Sequence, residues 1–161
     1  MVNKRTAWYD DTVLPQAMVV AALERGNSDL LKLENYQVLD GLVRLTNNCK
    51  TMADLGCGAA ELGDIYGKKL DYTGFDLPHI IDGVAKIIHP NLQYIKFDAN
   101  TTDFSILKDF DLIVCNGFIS EFPNPLEILE KLLNNTKKYL IIHRQFFEIS
   151  KLFYIQKQDN G

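Results

Sequence analysis

The chain has few cysteines and histidines and no long apolar run, and each shortage excludes a class of protein. Its three cysteines form no CxxC pair, and its three histidines are too scattered for a metal site. No apolar stretch is long enough to span a membrane, and no continuous apolar segment follows Lys4 and Arg5 as in a secretory leader. We therefore expect a cytoplasmic protein with reduced thiols, no bound metal and no membrane contact.

Positive charge is also scarce. Seventeen basic and twenty-one acidic residues give a formal net charge of -4 and a pI near 5.3. The basic residues are scattered along the sequence and are adjacent only at 4–5, 68–69 and 137–138. A protein that binds nucleic acid through its phosphates normally has a basic excess or a dense basic patch. Duplex nucleic acid is therefore not expected as a partner.

The N-terminal third has a helical pattern. The segment VLPQAMVVAALERG predicts a helix that ends at Arg25 and Gly26. A second helix is predicted to begin after an N-cap at Ser28 or Asp29 and to end at Asn47. Residues 1–48 are therefore expected to form a helical N-terminal extension.

From residue 49 onward, short apolar runs alternate with helical or turn segments. The runs are TMADLGC, DYTGFDLP, LQYIKFDAN, DLIVCNG and KYLIIHRQFF. Strands that alternate with helices are typical of βαβ units and a parallel sheet. The sequence thus predicts one α/β domain over residues 1–161. Its core, residues 49–161, would be a doubly wound, mostly parallel, Rossmann-like sheet.

The end of the sequence carries an unfinished hairpin signal. The run LFYIQKQ, residues 152–158, reads as a further strand and leads into Asp159-Asn160-Gly161. Asn-Gly is a strong hairpin turn, but no second strand follows it here. We therefore expect an incomplete C-terminal hairpin. The open sheet edge that results could pair with a second copy, so a homodimer is a further expectation.

The segment MADLGCGAAELG, residues 52–63, places glycines where a strand passes into a helix. Glycine there lets a ligand approach the backbone, and free N–H groups at the helix start can hold it. A P-loop would need a lysine after Gly63, where the chain has Asp64. A dinucleotide fingerprint would need glycine or alanine at position 61, where the chain has Glu61.

The run Asp54-Leu55-Gly56-Cys57-Gly58 resembles the first motif of class I S-adenosylmethionine-dependent methyltransferases. Further features follow in that family's order, among them Asp76 at the end of the next strand and Asp98 after the third. The resemblance implies that Asp76 binds the adenosyl ribose, that Leu77 lies against adenine, and that Asp98 accepts from the adenine amino group. As a whole it implies S-adenosylmethionine as cofactor, bound by Asp54, Gly56, Cys57, Gly58, Asp76, Leu77, Asp98, Ala99 and Asn116.

The chain also departs from the family pattern. Ala60 stands where a third glycine is common, and Glu121 stands where many small-molecule methyltransferases have a histidine. The run Asn116-Gly117-Phe118 lacks both prolines of the Asn/Asp-Pro-Pro-aromatic motif of DNA and protein amide methyltransferases. The resemblance therefore implies methyl transfer to a small molecule.

Glu121 and His143 are the candidate catalytic bases, because both are expected near the ends of the fourth and fifth strands. Each has a structural alternative: Glu121 as the cap of a helix that starts at Pro125, and His143 as a packed strand-end residue. Trp8 and Tyr9 would form either a flap over the cofactor or a hydrophobic anchor.

Three other functions stay open. The first is a catalytically silent methyltransferase-like module that binds or interacts without catalysis. The second is aminopropyl transfer on the same fold, which needs an acidic pocket that Glu121 alone does not provide. The third is a nicotinamide-dependent dehydrogenase, which the mismatch at Glu61 disfavours.

Overall fold

The computed structural model describes residues 13–25 and 30–145. In this part of the chain five strands form one parallel sheet in the order β3-β2-β1-β4-β5. The strands are β1 (Thr51–Leu55), β2 (Asp71–Asp76), β3 (Gln93–Lys96), β4 (Leu112–Asn116) and β5 (Tyr139–His143). Each lies within one of the five predicted apolar runs, so the Rossmann-like parallel sheet is confirmed.

Helices connect the strands and precede the sheet. They are α1 (Val13–Arg25), α2 (Glu34–Leu45), α3 (Glu61–Tyr66), α4 (residues 78–88) and α5 (Pro125–Asn134). Short 3-10 segments lie at Leu30–Lys32, Phe104–Asp109 and Ile119–Glu121. Within α4, residues Ile81–Ala85 have π-helical hydrogen bonding. None of the described helices is long and apolar enough to cross a bilayer.

The start of α2 differs from the prediction. The proposed N-cap residues, Ser28 and Asp29, lie outside the described residues, and the chain beyond them first makes one 3-10 turn. Leu33 is then extended (φ -79°, ψ 131°) and accepts the first hydrogen bonds of α2 from Tyr36 N and Gln37 N, both 3.0 Å. The helical periodicity therefore begins at Glu34, because the backbone of Leu33 interrupts it.

Two apolar layers cover the two faces of the sheet, as the alternation within each strand requires. On one face, Met52 of β1 packs with Tyr36 and Leu39 of α2 and with Leu62 of α3. On the other face, the buried residues Ala53, Leu55, Ile113, Phe104, Ile128 and Leu132 join β1 and β4 to α5 and the 104–109 turn. The sheet is thus covered on both sides, which makes the fold doubly wound.

Smaller predictions had mixed outcomes. Asn124, whose position and residue type before Pro125 favour an N-cap, does precede α5, but its side chain makes no capping hydrogen bond and instead donates to Glu127 Oε2 at 3.2 Å. Between β3 and β4 the chain forms the 3-10 helix Phe104–Asp109, capped by Asp103, which accepts from Ser105 N at 2.9 Å. Trp8, Tyr9 and the strand predicted over 152–158 lie outside the described residues.

Candidate functional site

The strand order reverses between β1 and β4, and a crevice opens there at the carboxyl ends of the strands, where open α/β sheets bind ligands. A cavity of about 160 Å³ occupies this position. The predicted site residues that line it are Gly56, Gly58, Asp76, Leu77, Ala99, Asn116 and Glu121. The other predicted site residues are not among its lining residues, namely Asp54, Cys57, Asp98 and His143.

The loop after β1 brings its backbone close to neighbouring side chains. Gly56 has φ +72° and Gly58 has φ +54°, conformations that L-residues with a side chain rarely adopt. A Cβ on Gly56 would lie 2.8 Å from Cδ2 of Phe118, and one on Gly58 would lie 3.1 Å from Cε of Met18. The two glycines therefore satisfy both a backbone and a steric requirement.

The carboxylate of Asp76 is held by the backbone of the glycine loop. Its Oδ2 accepts from Gly58 N at 2.9 Å, and its Oδ1 accepts from Leu77 N at 2.7 Å. Burial raises the pKa of Asp76, and these two backbone donors oppose the shift. A carboxylate has about four acceptor positions, so Asp76 can still accept from hydroxyl donors in the cavity.

Asp54 is placed differently from the expectation of direct cofactor contact. Its side chain is 2% exposed, and its Oδ2 accepts from the hydroxyl of Tyr72 at 2.7 Å. Burial raises the pKa of Asp54 to about 7, the Tyr72 hydrogen bond opposes the shift, and the charges of Asp76 and Glu61 add to it. Asp54 thus lies beneath the glycine loop as a desolvated acid.

Cys57 is also buried under the loop. Burial, together with the charges of Asp76 and Asp54, raises the pKa of its thiol well above the usual value. A thiol in this environment stays protonated, so Cys57 has the character of a small apolar residue and not of a nucleophile. Its backbone N–H donates to Phe75 O at 3.2 Å, beside the 2.8 Å bond from Gly56 N, which ties the loop to β2.

Asp98 and Ala99 follow β3 on the far side of the cavity. Asp98 is half-buried, and its Oδ1 accepts from Asn100 N at 2.9 Å in a tight turn. Ala99 is buried and lines the cavity, as does Phe97 before it. The turn thus fixes the backbone at the place where the resemblance expects the adenine ring.

Asn116 and His143 meet at the ends of β4 and β5. The ring nitrogen Nδ1 of His143 lies 3.0 Å from Oδ1 of Asn116, and the two residues are register partners in the sheet. Burial lowers the pKa of His143, and the positive charge of Arg144 adds to the effect. Asn116 therefore lines the cavity and contacts His143, which is not among the lining residues.

Glu121 lies at the end of the 3-10 turn that follows β4 and lines the cavity with two aromatic rings. Phe118 and Phe122 flank it in sequence and pack edge to face, with centroids 4.9 Å apart. Glu121 lines the cavity, whereas His143, the other predicted base, is not among the lining residues. The N-cap position of the helix at Pro125 is occupied by Asn124, and not by Glu121.

Several lining residues were not assigned any function from the sequence, among them Met18, Phe97, Gly117, Phe118 and Phe122. Phe118 and Phe122 follow a strand with a glycine between, and that position in an α/β sheet was the available signal. Met18 had no local signal, because only the docking of α1 against the loop brings it to the cavity. Among the described residues no group of three or more His, Cys, Asp or Glu is placed to hold a metal ion.

Solved structures with the same fold have been determined with bound S-adenosylmethionine or its demethylated product. The plantazolicin methyltransferase BpumL in complex with SAH has TM-score 0.59 and 21% identity, over 82% of this chain and 52% of that chain. The amino pentose methyltransferase CalS10 from Micromonospora echinaspora, with bound SAM, has TM-score 0.60 and 18% identity, over 81% and 57%. The N-terminal domain of EvdMO1 with SAH has TM-score 0.55 and 16% identity, over 71% and 52%.

The chain spans about half the length of those structures, so the similarity concerns the sheet and the helices around it. No curated protein has significant sequence similarity to the chain. A family model does match: "Methionine biosynthesis protein MetW", over residues 34–156, which includes every strand described above. The chain has the class I methyltransferase fold and belongs to the MetW family.

Proposed function

We propose that the chain binds S-adenosylmethionine at the carboxyl ends of β1, β2 and β3 and transfers its methyl group to a small-molecule acceptor. The proposal rests mainly on the carboxylate of Asp76, which lines the cavity and accepts hydrogen bonds from Gly58 N and Leu77 N. A carboxylate fixed in this way, with acceptor capacity left over, is suited to the vicinal hydroxyls of a ribose.

The other cofactor contacts follow from the positions of the residues around Asp76. Leu77 and Ala99 offer apolar surface on either side of the space beyond the ribose, where an adenine ring would lie. Asp98, which precedes Ala99 in the chain, would accept from the adenine amino group. Gly56 and Gly58 would leave room for the methionine part, beside Asn116, which also lines the cavity. Asp54 and Cys57 would support the loop from below.

The charge of the cavity also favours a cationic ligand. Its acidic lining residues are Asp76 and Glu121, and no lysine, arginine or histidine of the described chain lines it. When bound, S-adenosylmethionine supplies a sulfonium whose methyl group is transferred by in-line displacement. The protein's part is to align the acceptor with that methyl group and, where the acceptor carries a proton, to remove it. Glu121 and His143 are the bases we propose.

Small-molecule acceptors agree with what the names of the structural neighbours say of those proteins, an amino pentose for CalS10 and plantazolicin for BpumL. The three free cysteines are consistent with a reducing cytoplasm, where we place the reaction. A homodimer stays a prediction. A silent module that binds the cofactor without methyl transfer is the second candidate, favoured by the finding that His143 does not line the cavity.

Calorimetric titration with S-adenosylhomocysteine tests the proposal. Asp76→Ala removes the acceptor of two cofactor hydroxyls, so we expect the affinity to fall by roughly 100-fold or more, since hydrogen bonds to charged groups contribute ~1.5–3 kcal/mol each. Asp76→Asn keeps one oxygen acceptor and should lose less. Asp82→Ala, an exposed aspartate on α4 paired with Lys86 and Lys96, is the matched control and should bind like the wild type.

Two results would decide against the proposal. The first is a folded wild-type chain that gives no heat with S-adenosylhomocysteine. The second is equal binding by the wild type and Asp76→Ala, which would put the ligand elsewhere. Formation of S-adenosylhomocysteine from S-adenosylmethionine in the presence of pooled small-molecule acceptors then separates the enzyme from the silent module, because only the enzyme consumes the methyl donor.

A further inference from the structure

The ends of β4 and β5 are joined by a side-chain network that methyl-donor binding does not require. Asn116 lines the cavity, and its Oδ1 lies 3.0 Å from Nδ1 of His143. The backbone reinforces this contact, because Gly117 N donates to His143 O at 2.9 Å. The imidazole is therefore fixed relative to the cavity wall through both its ring and its main chain.

Gln145 holds the same region from the other side. Arg144 has φ +52°, and this left-handed residue turns the chain back after β5. The amide of Gln145 then donates to His143 O at 2.6 Å and to Cys115 O at 3.1 Å, while its Oε1 accepts from Ser120 N at 3.0 Å. One side chain thus connects β4, β5 and the turn that carries Glu121.

The Asn116 contact has a consequence for the proton on His143. An amide oxygen only accepts hydrogen bonds, so Nδ1 of the ring must carry a hydrogen to bond with it. In a neutral ring, Nε2 is then left without a hydrogen and can accept a proton. Burial and Arg144 lower the pKa of His143, which keeps the ring neutral at physiological pH. The groups that face His143 from the neighbouring strand and turn are few. β4 places the neutral Asn116 against it, and in the turn of residues 119–121 the only carboxylate is that of Glu121.

We propose that Asn116 is a positioning residue that holds His143 in the Nδ1–H tautomer, so that Nε2 removes a proton from the methyl acceptor. This inference rests on the proposed function. It also names the acceptor class: a hydroxyl or an amine that bears a hydrogen, and not a thioether or a tertiary amine, which need no base.

The acceptor lone pair forms the new bond to the methyl carbon, the carbon–sulfur bond breaks, and its electron pair remains on sulfur as neutral S-adenosylhomocysteine. The acceptor's proton passes to Nε2 of His143, giving an imidazolium that returns the proton to water. Asn116 keeps its hydrogen bond to Nδ1 throughout and stabilises the imidazolium.

Long-range ¹H–¹⁵N NMR correlation of the full chain tests the tautomer directly, and the chain's three histidines make the spectrum simple. A His143→Gln variant assigns the signal. We expect the Nδ1–H form for His143 in the wild type and a change toward the Nε2–H form in Asn116→Ala. Asn116→Asp keeps an acceptor at Nδ1, so it should retain the Nδ1–H form and raise the pKa of His143. Asn91→Ala, an exposed asparagine on a distant loop, should leave the signal unchanged.

The acceptor class is tested with S-adenosylmethionine and two pools, one of alcohols with primary and secondary amines and one of thioethers with tertiary amines. We expect product formation with the first pool to be lost in Asn116→Ala and retained in Asn116→Asp. In Asn116→Asp the acidic limb of the pH–rate profile should lie at higher pH than in the wild type, because the pKa of His143 is raised. An Nε2–H ring in the wild type, an unchanged tautomer in Asn116→Ala, or turnover with the second pool alone would overturn the inference. Failure of S-adenosylhomocysteine to bind beside an Nδ1–H ring would instead count against the proposed function.

Discussion

Aspartates at the two ends of the sheet have opposite electrostatic surroundings, and their pKa values are shifted in opposite directions. At the amino ends of the strands, Asp111 is surrounded by cations and donors. Its side chain accepts from Lys50 N at 2.9 Å and pairs with Lys138 at 3.0 Å and Lys137 at 3.2 Å. The hydrogen bond from Lys50 N and the two lysines hold the pKa of Asp111 far below its usual range. The charge of this aspartate thus joins β1, β4 and the start of β5.

At the carboxyl ends, Asp54 is buried and Asp76 is half-buried, and desolvation raises the pKa of each. The hydrogen bonds from Gly58 N and Leu77 N and the charge of His79 oppose the shift at Asp76. Left-handed backbone conformations are also concentrated here. Of the six described residues with positive φ, five follow the carboxyl ends of β1, β4 and β5, namely Gly56, Gly58, Ala60, Gly117 and Arg144. The amino end contributes only Asn48.

This difference separates the part of the sheet that stabilises the fold from the part that is arranged for a ligand. Left-handed conformations of non-glycine residues, as at Ala60 and Arg144, and desolvated charges persist only where the surrounding structure holds them, and both are concentrated at functional sites. The comparison supports the proposed site without reference to any ligand, and it can be tested by variants made in pairs, one from each class of position.

The largest expected effect is a pH dependence of opposite sign for the two aspartates. The folded-state pKa of Asp54, about 7, lies above its unfolded value of 3.8, so the folded chain binds the extra proton between these values. The contribution of Asp54 to the free energy of unfolding therefore falls as pH rises from 3.8 to about 7, by at most ~1.4 kcal/mol per pH unit. The pKa of Asp111 is lowered, so its contribution is present above pH 4 and is lost as pH falls.

Urea unfolding of Asp54→Asn and Asp111→Asn at pH 3 to 8 measures both contributions, with the pH range set around the usual aspartate pKa of about 4. Asp54→Asn keeps an oxygen that accepts from the Tyr72 hydroxyl. In this variant the free energy of unfolding should fall less between about pH 4 and pH 7 than it does in the wild type. Asp111→Asn should be less stable than the wild type at pH 7 and should approach it in acid. If both variants showed the same pH dependence relative to the wild type, the two ends would not differ in the way described here.

The second prediction divides backbone strain from steric crowding at the carboxyl end. Gly56 and Gly117 both have positive φ, +72° and +78°, so alanine costs each a similar amount, about 1–2 kcal/mol. They differ in what a Cβ would meet: Phe118 Cδ2 at 2.8 Å for Gly56, but only Arg144 O at 3.7 Å, an ordinary contact, for Gly117. Gly56→Ala should therefore be the more destabilising, and it should push Phe118 into the cavity.

Unfolding free energies and S-adenosylhomocysteine titration measure the two parts. We expect Gly117→Ala to lower the free energy of unfolding and to change the affinity for S-adenosylhomocysteine only slightly. Gly56→Ala should lower both the free energy of unfolding and the affinity. Adding Phe118→Ala to Gly56→Ala should remove the steric part, so the two changes should be non-additive. Equal losses in the two single variants would show that crowding by Phe118 has no effect.

The strands and the glycine loop could be predicted because their signals are local. An apolar run followed by Asp54 and two glycines, or by Asp76, contains its own evidence in adjacent residues. The burial of Asp54 could not be predicted, since the Tyr72 hydroxyl that bonds it is 18 residues away in the chain. The contact of Met18 with the cavity likewise depends on the docking of α1, which no residue pattern within that helix specifies.

The boundary of α2 and the connection between Asn116 and His143 show the same limit. Helical spacing of leucines continued through Leu33, but the backbone there is extended, and only the fold decides that. Asn116 was placed on the cofactor side from its motif position, while its contact with His143 requires the pairing of β4 with β5. Pairwise contacts between distant elements are therefore the part of the site that local patterns leave out.

The smallest expected effect is at Ala60, the one non-glycine residue of the loop in the left-handed region, with φ +60° and ψ +34°. Ala60→Gly relieves strain of about 1–2 kcal/mol. It also removes a methyl group that is fully buried, which costs about 0.8 kcal/mol, and frees the unfolded chain by up to about 1 kcal/mol. These contributions nearly cancel, so the urea midpoint should stay close to that of the wild type. A clear gain in stability would mean that the strain at this end of the sheet exceeds the packing that holds it, whereas a clear loss would mean that the Ala60 methyl group is needed to hold the loop under which Asp54 and Cys57 are buried.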